Sequence, residues 1–141
     1  MKNSLLVLAA FSLLLLSSDV AFACRCMRVE ASADLSRYAA VFSGKAVEVT
    51  RLPTSLRVKF RVESVWKGAD AKEITLFLPR SSDLRVISSC DIGFKEGESY
   101  LVYAFTSKRD GTLTTGKCSR TRKLVDANED FAVLGEGQRV E

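Results

Sequence analysis

Four cysteines constrain the fold of this chain more than any other feature of its sequence. Cys24, Cys26, Cys90 and Cys118 are its only cysteines, and an even number in a short exported chain indicates disulfides. Three pairings are possible. A Cys24–Cys26 bond would close a very small ring and leave no long-range crosslink. In each of the other two pairings, both cysteines of the N-terminal Cys-Arg-Cys are joined to the distant cysteines. Each bridge would then stabilise the folded chain by roughly 4–5 kcal/mol, less any strain.

A four-thiolate zinc site is the alternative use of these cysteines. A Cys-x-Cys followed by two isolated cysteines lacks the paired two-residue spacing that is typical of such sites. An oxidising compartment also favours disulfides over thiolates. The sequence therefore predicts a disulfide-crosslinked chain without a metal or cofactor of its own.

Residues 1–23 have the pattern of a secretory signal peptide. Lys2 supplies a positive charge, residues 5–16 form an apolar run, and Ala21-Phe22-Ala23 is an A-x-A cleavage site. The apolar run of 12 residues is shorter than the ~20 that a membrane span needs. Cleavage would leave Cys24 as the first residue of one domain, 24–141, in a secreted, extracellular protein or, in a bacterium, a periplasmic or cell-envelope one.

Lipid attachment at Cys24 is a second possibility, because bacterial lipoproteins are also cleaved directly before a cysteine. Ala23 fits such a site, whereas Ala21 and the bulky Phe22 fit it poorly. Lipidation would anchor the protein in an envelope membrane and block the α-amine of Cys24. Without it, we expect no membrane association.

The composition argues against catalysis and against nucleic acid as a partner. The chain has no histidine, which removes the usual general base and the usual zinc ligand. The net charge is only +4, without a run of five like charges, so a nucleic-acid interface is not indicated. Four carboxylates could in principle form a catalytic pair, but they lie in no recognisable motif and are expected to be solvated. They are Glu30, Asp34, Glu63 and Asp91.

Five segments have the composition of short β-strands. Residues 56–62 alternate apolar and charged side chains, which is typical of a half-buried antiparallel strand, and residues 64–66 break the alternation, which indicates a bulge or a strand end. Residues 99–105 are almost all apolar and should form a central strand. The five predicted strands are 41–49, 56–62, 74–78, 99–105 and 112–115.

One or two helices are expected to flank these strands. Ser32 could cap a short helix, with Leu35, Tyr38 and Ala39 on one face. Asp126 could begin a second helix, with Glu129 completing a capping box and Gly135 ending it; the residues beyond are expected to fray. Ala127, Phe131 and Leu134 would form its apolar face. Five strands with such helices fit a mainly β, five-stranded closed barrel of the OB-fold type, since a sandwich would need more strands.

Several segments together resemble the N-terminal domain of the tissue inhibitors of metalloproteinases, which belongs to the netrin-like OB-folds. The resemblance extends from residue 24 to about residue 125, and its most specific part is the Cys-x-Cys that would begin the mature chain. The remaining matches are weaker individually but follow the family's order. They are 41–46 (VFSGKA), 65–68 (VWKG), 88–90 (SSC), 100–104 (YLVYA), 110–113 (DGTL) and Cys118.

The resemblance implies two disulfides, Cys24–Cys90 and Cys26–Cys118, and an inhibitory mechanism. In the family, the amine and carbonyl oxygen of the first residue chelate the catalytic zinc of a target protease; here Cys24 would do so through its main chain. Arg25 would enter the primed-side pocket, with Cys26 and Met27 following along the cleft. Ser88 and Ser89 would lie beside this wedge. The partner would be a zinc metalloproteinase bound in trans by a monomer.

Three differences from the family pattern point to an alternative function. Arg25 replaces the usual Thr or Ser, and a long charged side chain is costly in an apolar pocket. Met27-Arg28 replaces the usual Val-Pro, and the family's third disulfide and C-terminal domain have no counterpart. The alternative is a non-inhibitory netrin-like module for extracellular binding or adhesion, with Arg57, Lys59 and Arg61 as its expected surface.

Overall fold

The computed structural model describes residues 24, 26–27, 29–68, 71–80 and 91–141. The predicted signal peptide 1–23, together with Arg25, Ser88, Ser89 and Cys90, lies outside these residues. The chain is mainly β, as predicted. Its elements are β1 (Ala40–Arg51), β2 (Ser55–Lys67), β3 (Glu73–Pro79), β4 (Ser99–Thr106), β5 (Leu113–Thr114), β6 (Arg122–Lys123), a 3-10 turn (Leu124–Asp126), α1 (Asn128–Leu134) and β7 (Gln138–Arg139).

The five predicted strands form one antiparallel sheet in the order β3-β2-β1-β4-β5. β5 returns to lie close to β3, so the sheet curls into a nearly closed barrel. Two short strands extend it, β6 along β4 and β7 along β2. This arrangement confirms the predicted barrel at the level of strand number and strand direction.

β2 shows why the barrel has an apolar interior. Val58, Phe60 and Val62 are buried while Arg61 is exposed, which confirms the predicted alternation. The strand then continues to Lys67, past the break in the pattern. In its pairing with β1, Trp66 has no partner of its own between Val65 and Lys67, and Glu63 has none between Val62 and Ser64. The break is therefore a β-bulge, which bends the strand around the barrel.

β4 is the central strand that its apolar sequence predicted. Tyr100 to Ala104 are all buried, because one face of β4 lines the barrel and the other is covered. Inside the barrel, the ring of Phe60 packs edge-on against Phe42 and Phe94. On the outside, Tyr103 belongs to a second apolar cluster with Ala127, Phe131 and Leu134, which confirms the predicted apolar face of the C-terminal helix.

Gly44 lies where β1 and β2 approach each other closely. A Cβ atom added there would lie 2.6 Å from the carbonyl oxygen of Arg61, which is main chain and cannot rotate away. We expect Gly44→Ala to lower the free energy of unfolding by about 1–3 kcal/mol, the usual cost of overpacking, as measured by urea denaturation. Gly93→Ala is the matched control, since no atom lies within 4 Å of the added Cβ. Equal urea midpoints for the two variants would contradict this packing.

The helix predicted after Ser32 is wrong. Residues 32–39 form turns instead: the amide of Asp34 donates to Ser32 Oγ (3.0 Å), and the amide of Ser36 donates to Asp34 Oδ1 (2.9 Å). Side-chain oxygens that accept from the main chain two residues on compete with helical hydrogen bonds. Tyr38 is nevertheless buried against the rings of Tyr103 and Phe105.

The predicted start of the second helix is also wrong, although its end is confirmed. Asp126 ends a 3-10 turn, α1 is capped by Ala127 without a side-chain hydrogen bond, and no capping box forms. Glu129 instead reaches Arg120 at 3.4 Å. Gly135 ends the helix with φ of 67°, a conformation that favours glycine.

The C-terminal residues do not fray. Gln138 and Arg139 pair with Val65 and Ser64 as β7. The reason is Trp66, whose indole N–H donates to the carbonyl of Gly135 (3.0 Å) and whose ring lies against the backbone of Gly137. In the described part of the chain, no helix is both long and apolar enough to span a bilayer.

Candidate functional site at the N-terminal cysteines

The N-terminal cysteines lie together at the surface, beside the turn that follows β5. Cys26 and Cys118 form a disulfide with Cα atoms 5.0 Å apart, across 92 positions of sequence, as the resemblance implied. Cys24 Sγ lies 3.9 Å from Cys118 Sγ. Two disulfides were expected and this is the one described; the Cys24–Cys90 bridge stays a prediction because Cys90 lies outside the described residues.

The three sulfurs are close enough to suggest a metal site but are not chemically suited to one. The sulfur atoms of Cys24, Cys26 and Cys118 all lie within 4.8 Å of one another. Zinc requires thiolates, and two of these three sulfurs are already joined to each other. Among the described residues, the cysteine cluster is therefore a crosslink that positions the N-terminal segment.

A buried ion pair lies directly beneath this crosslink. Arg120, two residues after Cys118, donates from Nε to Asp130 Oδ1 (2.5 Å) and from Nη2 to Asp130 Oδ2 (2.9 Å). The Asp130 side chain is 0% exposed and that of Arg120 is 8% exposed. Two parallel bonds of this kind fix the guanidinium plane as well as neutralising the charge.

The hydroxyl of Tyr103 completes the bonding of the buried carboxylate. It donates to Asp130 Oδ1 at 2.7 Å, and burial together with this bond raises the pKa of the Tyr103 phenol. Burial by itself would raise the pKa of Asp130, but the hydrogen bonds from Arg120 and Tyr103 outweigh it and hold that pKa below its ordinary value. The site is therefore charged and fully paired at neutral pH.

The ion pair also holds the N-terminal segment. Arg120 Nη1 donates to the carbonyl oxygen of Val29 at 2.6 Å. The chain is thus attached to the barrel twice within four residues, covalently at Cys26 and by a charge-assisted hydrogen bond at Val29. Met27, between the two attachments, is 89% exposed. The described residues Cys24, Cys26, Met27 and Val29 thus form a short surface segment that is fastened to the barrel, which we call the N-terminal ridge.

The structure places only part of the predicted wedge. Cys24, Cys26 and Met27 are brought together on the N-terminal ridge, whereas Arg25, Ser88 and Ser89 lie outside the described residues. The pair that supports the ridge, Arg120 and Asp130, was missed by sequence reasoning. The position of Arg120 two residues after a crosslinked cysteine was the available signal, but no local pattern connects it to Asp130.

The basic stripe on β2 is largely neutralised by neighbouring strands. Arg57 Nη2 lies 2.7 Å from Glu48 Oε1 on β1, and Lys59 Nζ lies 3.8 Å from Glu73 Oε2 on β3. Arg61 is exposed. The stripe therefore presents much less net positive charge than its sequence suggests, which weakens it as a surface for acidic partners.

The four candidate carboxylates are exposed, as expected. Glu30 and Asp34 lie in the segment before β1, Glu63 lies on β2, and Asp91 precedes β4. Comparison with known proteins adds no identification, since no protein-family profile matches the chain and no curated protein is similar to it at a significant level. The function must therefore be argued from the site.

Proposed function

We propose that this protein is a secreted inhibitor of zinc metalloproteinases, and that its barrel is a netrin-like OB-fold. The proposal rests on one observation: the N-terminal ridge is exposed yet fastened to the barrel at Cys26 and at Val29. After removal of residues 1–23, Cys24 would carry a new α-amine at the tip of this ridge. The amine and the Cys24 carbonyl oxygen would then chelate the zinc of the protease.

The chemistry of such a contact is favourable. A catalytic zinc keeps one coordination position for water, and it can expand to five ligands. The amine would displace the water and the carbonyl oxygen of the same residue would be the fifth ligand. The pKa of an α-amine is near 8, so a proton is readily displaced by zinc near neutral pH. No cofactor in the inhibitor is required.

Rigidity is the second argument for this function. A flexible N-terminus would lose conformational entropy on entering a protease cleft, whereas a ridge held before binding loses little. Met27, exposed between the two attachments, would lie along the cleft, and Arg25 would enter the primed-side pocket. Since Arg25 is charged, the proposal favours a protease whose pocket is acidic or open.

Adding one alanine before Cys24 tests the mechanism. The extension removes the α-amine from the zinc without altering the barrel, so we expect inhibition of a susceptible metalloproteinase to weaken by about 100-fold or more, or roughly 3 kcal/mol. The measurement is the inhibition constant of the native-start protein against a panel of purified zinc proteases. Acetylation of the native amine should have the same effect.

An alanine inserted near the far end of the chain, after Glu141, is the matched control and should leave inhibition unchanged. If the protein extended before Cys24 inhibits as well as the native one, zinc chelation by Cys24 is excluded. If neither form inhibits any protease, the binding or adhesion module becomes the better interpretation. An N-terminal peptide of lipidated mass would instead indicate the envelope lipoprotein.

A further inference from the structure

The three sulfur atoms at the N-terminal ridge are close enough to exchange partners. Cys24 Sγ lies 3.9 Å from Cys118 Sγ, and Cys118 Sγ is the atom already bonded to Cys26. All three sulfurs lie within 4.8 Å of one another. A thiolate attacks a disulfide sulfur directly, so a thiolate at Cys24 would have the Cys26–Cys118 bond as its nearest substrate.

The exchange first requires that Cys24 become a thiol. None of the described cysteines is a free thiol, and the predicted partner of Cys24 is Cys90, which lies outside the described residues. A dithiol reductant would open that bridge by supplying two electrons and two protons. The reductant would itself become a disulfide, and Cys24 and its partner would be left as thiols.

The surroundings of the cluster give access to a reductant and favour a thiolate. Cys26 and Cys118 are exposed and Cys24 is half-buried, and both exposed cysteines line a surface cleft of about 330 Å³. Positive side chains stabilise a thiolate, and the described charged residues of this cleft are Lys117, Arg120, Arg122 and Glu129. With Asp130 beneath them, three basic groups still face two acidic ones.

Chain entropy favours neither of the two possible bridges to Cys118. The Cys26–Cys118 bridge spans 92 positions, and a Cys24–Cys118 bridge would span 94. The entropic stabilisation from a crosslink varies with the logarithm of the loop length, so both bridges restrict the unfolded chain almost equally. The hydrogen bond from Arg120 to the carbonyl oxygen of Val29 lies beyond both cysteines and can form with either bridge.

We propose that Cys24, Cys26 and Cys118 form a thiol–disulfide exchange site that responds to dithiols. Once its own bridge is opened, the Cys24 side chain rotates into line and its thiolate attacks Cys118 Sγ. A Cys24–Cys118 bond forms, the Cys26–Cys118 bond breaks, and Cys26 leaves as a thiolate with the bonding electron pair. This step consumes no further reductant. It transfers the thiol from a half-buried cysteine to an exposed one, and the proposal is independent of protease inhibition.

Replacing Cys90 by serine tests the exchange without a reductant. In Cys90→Ser, Cys24 lacks its predicted partner, so its thiolate can react with the Cys26–Cys118 bridge directly. The protein is alkylated with N-ethylmaleimide, digested with trypsin without reduction and analysed by mass spectrometry. Trypsin cuts after Arg25, so Cys24 and Cys26 lie in different peptides and the two bridges give different masses. We expect maleimide on Cys26 in about a tenth of the molecules or more, as for two isomers within about 1.4 kcal/mol of each other.

The double variant Cys24→Ser/Cys90→Ser is the matched control, because it lacks the attacking sulfur and should carry no maleimide on Cys26. A second measurement uses the native sequence, treated with one equivalent of dithiothreitol and then alkylated. We expect a tryptic peptide in which Cys24 is joined to Cys118, a product that direct reduction of the Cys26–Cys118 bridge does not give. Maleimide on Cys24 alone in Cys90→Ser, or no Cys24–Cys118 peptide from the treated native protein, would overturn the proposal.

Discussion

Asp130→Ala will lower the free energy of unfolding by about 3–5 kcal/mol, because it leaves the guanidinium of Arg120 buried without its counter-charge. The Asp130 side chain is 0% exposed, and it accepts from Tyr103 as well as from Arg120. Its removal therefore leaves two buried donors without an acceptor. Urea denaturation of the purified variant measures the loss directly.

Glu129→Ala is the matched control for this prediction. Glu129 is the neighbouring acid on the same helix and contacts the same arginine at 3.4 Å, but its side chain is 75% exposed. A solvent-exposed ion pair contributes only about 0–1 kcal/mol. Similar losses of unfolding free energy for Glu129→Ala and Asp130→Ala would show that burial does not set the strength of the Arg120–Asp130 ion pair.

The same pair predicts a pH dependence with a definite sign. The pKa of Asp130 in the folded protein lies below its ordinary value of 3.8, so the unfolded chain binds the proton more readily. The stabilisation is complete above pH 3.8 and is lost as the pH falls through the lower, folded-state pKa. Asp130→Asn should therefore flatten the acid limb of the stability curve, whereas Glu129→Gln should not.

Replacing both Cys26 and Cys118 by serine should also cost about 4–5 kcal/mol, since the bridge closes a loop across 92 positions and restricts the unfolded chain. A local effect should accompany the global one. With this crosslink gone, the segment after Cys26 is held at Val29 by its hydrogen bond with Arg120, while the predicted Cys24–Cys90 bridge would still hold Cys24. Amide exchange at residues 26–30 should then accelerate more than exchange within β1 and β2.

A control variant distinguishes the effect of losing the crosslink from the effect of changing a side chain in the same turn. Ser119→Ala changes a neighbouring hydroxyl in the same turn, one that contacts Thr115 and Thr121, and it leaves the disulfide intact. It should have a much smaller effect on stability and none on exchange at the N-terminal ridge. A loss below about 1 kcal/mol for the double serine variant would mean that the unfolded state is already compact.

Sequence reasoning was most successful where a structural signal is local and repeated. The alternation from Leu56 to Val62 predicted the buried face of β2, and the apolar run 99–105 predicted the central strand. It was wrong where two local signals compete. Ser32 can cap a helix or close a turn. In the structure its Oγ accepts a hydrogen bond from the amide of Asp34, within a turn. The residues after Gly135 had no local reason to be ordered and are held by distant Trp66.

The sequence by itself determined the five strands of the barrel and the buried faces of the longer ones, because these follow from side-chain periodicity and chemistry within a few residues. Tertiary structure alone decided which groups meet. It brought Arg120 to Asp130 and to Val29, 91 positions away in sequence, and, among the described residues, it left the buried Oγ1 of Thr114 on β5 without a hydrogen-bond partner. Such contacts join residues that share no local pattern, and their geometry is set by how the barrel closes.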